Sequence, residues 1–116
     1  MAKDDWVYVG HIHDQAERAL SLVLGKDKNQ FDSDLTLRLS LTHLLQIVGE
    51  AARRISEEFK IEHPDVPWKE MIGMRHKVVH DYMDVDEEIV WLTVNQRLPD
   101  LVRDLKALEE SRESFE

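Results

Sequence analysis

The run Arg75-His76-Lys77-Val78-Val79-His80-Asp81-Tyr82 gathers a guanidinium, two imidazoles and a phenol into one short stretch of chain. Arginine stays charged at every accessible pH and its donor fork matches phosphate oxygens, whereas an imidazole moves protons near neutrality. Arg75 and His80 together therefore suit RNA, whose 2′-hydroxyl attacks the adjacent phosphate once a base removes its proton. That chemistry asks the protein for neither metal nor cofactor, and neither is expected.

On a helix turning about 100° per residue, Trp68, Arg75 and Tyr82 fall nearly in line, with Ile72 and Val79 beside them. Arg75 then belongs to an apolar stripe. A guanidinium there needs a carboxylate inside the fold, or a cleft or interface that an anionic ligand can enter. His80 follows at a spacing that places it about 140° around the same helix, so one regular turn does not project both. The reach of the arginine, an end to the helix after Val79, or a second copy of the segment across a two-fold axis would each close the gap.

Four helices must position this segment. Trp6, Val9, His13, Ala16, Leu20 and Val23 form one buried stripe, with Gly25 as its stop. Residues 26–34 are polar and read as a loop rich in candidate N-caps. The longest stripe, Leu37, Leu41, Leu44, Val48, Ala51, Ile55 and Phe59, predicts a central second helix, in which Gly49, Ala51 and Ala52 permit close approach by a neighbour. Pro64 and Pro67 end it and restart the chain, and a third helix runs from near Trp68 to about Tyr82. Asp84 with Glu87 resembles a capping box opening a fourth helix, whose stripe is Trp91, Val94, Leu98, Leu101, Leu105 and Leu108. Pro99 within that stripe predicts a kink, and residues 111–116 are expected to fray. No alternating strand pattern, glycine-rich phosphate loop or internal repeat interrupts this scheme. The fold class is all-α, an up-down bundle of about four main helices in a single domain over residues 1–116.

Composition narrows the function. The chain has 116 residues, 42% hydrophobic and 34% charged, enough apolar content for a core, and it gains from burying more surface in an oligomer. It holds no cysteine, which removes disulfides and thiolate metal sites. A formal charge of −9 argues against broad electrostatic capture of nucleic acid, so any RNA contact must be local. The acidic start and the lack of an apolar run near the roughly 20 residues of a membrane span point to a cytoplasmic protein without membrane contact.

Arg75-x4-His80-x-Tyr82 in its surroundings resembles the signature of the HEPN superfamily, and within it the HepT-like toxins of HepT/MntA toxin–antitoxin pairs. The resemblance extends through Ile47-Val48-Gly49-Glu50-Ala51-Ala52-Arg53-Arg54, Val66-Pro67-Trp68, Met71-Ile72-Gly73-Met74-Arg75, Val85-Asp86 to Val90-Trp91, and Leu98-Pro99-Asp100-Leu101. It implies a HEPN-like bundle dimerising through helix faces, with paired motifs in a cleft. It implies metal-independent endoribonuclease activity and a cognate MntA-like nucleotidyltransferase antitoxin in a type VII-like system. By the same resemblance Arg75 holds or polarises phosphate, His80 transfers protons, and Tyr82 is the residue to which the antitoxin attaches AMP, placing bulk and negative charge where the RNA phosphate must sit. Many relatives carry Asn or Asp after the motif arginine, where this chain has His76. His76 is an auxiliary candidate that could assist with phosphate, share protonation with His80, or pack.

Other readings compete. His76 and His80 have the spacing of a helical metal pair, yet His11 and His13 point to different sides of the first helix and no full ligand set is evident. His13 reads as a hydrogen-bonded core or interface residue, and no constellation surrounds His43 or His63. Arg53 and Arg54 could guide RNA or simply be solvated helix charges, and Glu50 could orient Arg75 or Arg54. Asp81, Asp84, Asp86, Glu87 and Glu88 repel phosphate and suit helix capping. The runner-up function is a noncatalytic helical module binding a nucleotidyltransferase, a nucleotide or RNA, motivated by the net acidity.

Overall fold

The structure is a computed structural model that describes residues 4–81 and 84–114. Helix α1 spans Asp5–Val23, and the Asp4 side chain accepts from the Trp6 amide at its start. It buries Val9, Ile12, Ala16, Ala19 and Val23, while His13 and Leu20 are only half-buried. Gly25, at φ 75°, stops it in the left-handed conformation that favours glycine.

The stretch expected as a loop contains a short helix, α2 (Lys28–Ser33). Asp27 and Gln30 form a reciprocal capping box that satisfies its first amides, and Phe31 is fully buried against Trp91 with ring centroids 5.0 Å apart. One buried aromatic among polar residues gives no periodicity, so no apolar stripe marks this helix in the sequence.

Helix α3 (Leu35–Arg54) is central, packing against α1 on one side and α5 on the other. It starts on Asp34, which accepts from the Leu37 amide. The stripe that runs on to Phe59 in sequence is broken in space: Ile55 is extended, and Ser56 caps a separate helix α4 (Glu57–Glu62). Asp5 of α1 fixes the break by accepting from both the amide and the hydroxyl of Ser56, at 2.8 and 2.7 Å. Ile55 and Phe59 stay buried, so the apolar period survives the interruption and conceals it.

Helix α5 covers Trp68–Val78, shorter than the spacing predicts. It begins after Pro67 and is pinned where the Trp68 indole donates to the His63 carbonyl at 2.9 Å. Past Val78 the chain turns extended, and strands β1 (Val79–Asp81) and β2 (Asp84–Val85) form an antiparallel ribbon that the sequence reading did not anticipate. Asp84 sits in β2 rather than capping a helix. The cap of α6 (Glu87–Leu92) is Asp86, which accepts from the Ile89 amide at 3.1 Å.

A π-helical turn over Thr93–Arg97 joins α6 to α7 (Leu98–Ser114). Leu98 donates to the Thr93 carbonyl in this wider turn, and the ring of Pro99, which cannot donate, follows directly. Asn95 Nδ2 donates to the Trp91 carbonyl at 2.9 Å beside this turn. The irregularity expected at Pro99 therefore takes the form of a π-turn just ahead of it. Helix α7 continues through the residues expected to fray, as far as Ser114.

The core joins α1, α3, α5, α6 and α7, with Leu41, Leu45, Met71, Leu98 and Leu105 almost wholly excluded from solvent. Apart from the short ribbon the fold of the described residues is all-α, a bundle of four main helical units with α2 and α4 as small additions. Among the described residues, no helix is long and apolar enough to cross a membrane.

Candidate functional site

Arg75 occupies the last turn of α5 with His76 and Lys77, where positive charge complements the carboxyl end of the helix. The buried stripe of α5 is Trp68, Met71, Met74 and Val78. Arg75 lies beside that stripe, exposed, rather than on it. No carboxylate among the described residues pairs with it. Glu50, the candidate for orienting it, is held instead by its own helix: Arg53 Nη2 donates at 2.7 Å and Arg54 Nε at 3.2 Å. The Arg53 hydrogen bond chiefly, with Arg54 in support, holds the Glu50 carboxyl down to about 2 against the opposing effect of desolvation.

The backbone of Arg75 is placed by α3. Gly49 is buried at the α3–α5 crossing, and a Cβ there would lie 3.1 Å from the Met71 carbonyl oxygen and 3.5 Å from the Arg75 amide nitrogen. Without a side chain at 49, α5 seats directly on α3 and carries the guanidinium to the edge of a cavity of about 410 Å³. His43, Gln46, Ile47, Glu50 and Arg53 complete its lining.

His43 is the residue that sequence reasoning missed. It is exposed on the outward side of α3 and shares the Arg75 cavity, where no constellation was expected. The signal was present: His43, Gln46, Ile47, Glu50, Arg53 and Arg54 recur at steps of three and four along the face of α3 turned from its buried stripe.

His80 is exposed on β1 and does not line the Arg75 cavity within this single chain. The ladder pairs Val79 with Val85 and Asp81 with Asp84, so the register is irregular at His80. Such irregularities re-aim a side chain and end regular pairing. Because α5 ends at Val78, the awkward helical angle between Arg75 and His80 does not apply; the end of the helix supplies the freedom. The same ending separates His76, on α5, from His80, so the two do not form a helical i, i+4 metal pair. His76 is exposed at the end of α5. Among the described residues no group of three or more histidines and carboxylates is placed to hold a metal ion. Tyr82, the candidate modification site, lies outside the described residues.

The remaining candidates resolve into structural roles. His13 bridges α1 and α7, its Nδ1 lying 2.5 Å from Glu109 and its Nε2 2.9 Å from Glu17. Glu87 pairs with Arg38 and Glu88 with Lys28, which ties the acidic run after the motif to α2 and α3.

A family model described as Ribonuclease HepT-like matches residues 12–108 of the chain, a span that includes α3, α5 and the ribbon. The chain belongs to the HepT-like family. Among HepT-like relatives, a protein named as a putative RNase from Caldanaerobacter subterraneus subsp. tengcongensis is 35% identical over 101 residues, covering 87% of this chain and 90% of that protein. Another named as a putative RNase, from Methanocaldococcus jannaschii, is 29% identical over 104 residues, covering 90% and 95%. A protein named as a probable ribonuclease HepT, from Thermococcus cleftensis, is 39% identical over 71 residues, covering 61% and 64%. No solved structure matches.

Proposed function

We propose that this chain is an endoribonuclease that cleaves RNA by 2′-hydroxyl attack without a metal ion, acting as the toxin of a type VII-like toxin–antitoxin pair. The observation that carries the reading is the family match across residues 12–108, which encloses both Arg75 and His80. Their exposure supports it.

In the reaction, the His80 imidazole takes the proton of the ribose 2′-hydroxyl as its oxygen bonds to phosphorus. Arg75 holds the phosphate and gains strength as negative charge builds on its non-bridging oxygens. The bond to the 5′-oxygen breaks, that oxygen takes up a proton, and a 2′,3′-cyclic phosphate remains. A homodimer would bring two copies of the motif into one groove, supplying a second imidazole to protonate the leaving oxygen. His76, at the end of α5, would add a further donor to phosphate. Regulation follows from the same motif: a cytoplasmic MntA-like nucleotidyltransferase attaching AMP to Tyr82 would add bulk and negative charge to the motif and exclude RNA.

The test is cleavage of single-stranded RNA in the presence of a chelator. Activity that persists in chelator and is lost in Arg75→Ala and His80→Ala supports the proposal, and activity indifferent to both changes rejects these roles. Tight RNA binding without turnover would favour the noncatalytic module that the charge of −9 suggests. Mass spectrometry after incubation with the partner and ATP should show one AMP adduct, absent in Tyr82→Phe.

A further inference from the structure

Beside the Arg75 cavity lies a second one of about 270 Å³, between α1 and α3, lined by Tyr8, His11, Ile47, Glu50, Ala51 and Arg54. Ile47 and Glu50 line both, so the two hollows adjoin across a shared wall. Their linings carry three guanidinium groups against one carboxylate, in a chain whose formal charge is −9. The local sign is thus opposite to that of the whole molecule, which is what a site-restricted contact with a polyanion requires.

The second hollow also has the chemistry of a base. Tyr8 and His11 stand edge to face with ring centroids 6.2 Å apart, and Ile47 and Ala51 provide an apolar floor. Aromatic walls of this kind take an unstacked nucleobase, while a neighbouring arginine holds the backbone. Arg54 donates through Nε to Glu50 at 3.2 Å, its charge is further favoured by the neighbouring Tyr8, and its side chain is still 56% exposed. A guanidinium has five N–H donors, so this bond leaves others for a phosphate.

We infer that the Tyr8–His11–Arg54 hollow is a subsite for a nucleotide flanking the cleaved bond, so that a single RNA strand runs from the Arg75 cavity over the Ile47–Glu50 wall onto α1. The inference rests on the ribonuclease reading for the identity of the ligand, yet it concerns binding and can be measured without turnover. Tyr8, His11 and Arg54 are positioning residues: they select and hold the strand and take no part in proton transfer.

The experiment compares a dinucleoside monophosphate with a longer single-stranded oligoribonucleotide, by fluorescence anisotropy and by cleavage kinetics, for the intact protein, Tyr8→Ala, Arg54→Ala and the conservative pair Tyr8→Phe and Arg54→Lys. Stacking on one aromatic side chain is worth enough that its loss weakens binding about fivefold or more. The preference for the longer strand should fall by at least that factor in Tyr8→Ala and Arg54→Ala, as a rise in KM, with most of it regained in Tyr8→Phe and Arg54→Lys. Circular dichroism of each variant checks that the helices persist. An undiminished preference, or equal losses on both ligands, overturns the subsite even if cleavage is intact. Retained strand preference without any cleavage removes the ribonuclease reading and leaves the subsite standing. Failure to bind either RNA overturns both.

Discussion

Replacing Gly49 with alanine sets two known effects against each other at the point where α5 rests on α3. In an open helix the added methyl stabilises by about 1 kcal/mol. Here it would stand 3.1 Å from the Met71 carbonyl oxygen and 3.5 Å from both the Ile72 carbonyl oxygen and the Arg75 amide nitrogen. All three neighbours are backbone atoms of one helix, so none can rotate aside and α5 must withdraw by a few tenths of an ångström. Overpacking of this kind costs about 1–3 kcal/mol, which leaves Gly49→Ala destabilised by about 0–2 kcal/mol. Gly73→Ala is the control: its Cβ would meet nothing within 4 Å, so it should gain about the full 1 kcal/mol of propensity. Urea unfolding with an unchanged m-value reads both differences directly. Because the Arg75 amide is among the crowded atoms, Gly49→Ala should also lose RNA cleavage by several-fold, misplacement of about 1 Å being worth roughly a hundredfold. A Gly49→Ala protein as stabilised as Gly73→Ala, with cleavage intact, would refute the claim that this contact sets the position of Arg75.

Asp86→Ala should cost about 1 kcal/mol in urea unfolding through loss of the α6 cap, while Asp84→Ala costs much less; the reverse order would show that the cap is misplaced. Leu105→Ala, at a position with no solvent exposure, should cost about 2–5 kcal/mol by the same measurement. Glu50, with its folded value depressed to about 2 mainly by Arg53, contributes stability that is complete above the ordinary carboxylate range and is lost as pH falls toward that value. A carboxyl-carbon NMR titration should place its midpoint near 2, and a midpoint above 4 would mean that the arginine pair does not hold it.

The helices with long apolar periods were legible from sequence, because α1, α3 and α7 each bury a continuous face. Their ends were less so. The break at Ser56 depends on Asp5, far away in sequence, and leaves the apolar period undisturbed, so no local pattern announces it. Similarly, α5 stops at Val78 where the Asp86 amide bonds the Val78 carbonyl at 2.7 Å, a tertiary contact that residue spacing does not encode. That one ending changes the site most. It frees His80 from the helix and removes the objection raised by its angle to Arg75. The outward face of α3 was overlooked for a different reason: attention to apolar stripes treats the opposite side as solvent, and His43 and Arg53 gain their significance only when α5 brings Arg75 alongside.

The most direct measurement uses an RNA strand carrying a single 2′-deoxyribose at the cleaved position, incubated with the intact protein in chelator. If Arg75 and His80 drive attack by the neighbouring hydroxyl, the all-ribose strand is cut to a 2′,3′-cyclic phosphate end and the substituted strand is not cut there. Cleavage of both strands at equal rates would mean that another nucleophile attacks the phosphate, and would contradict the account.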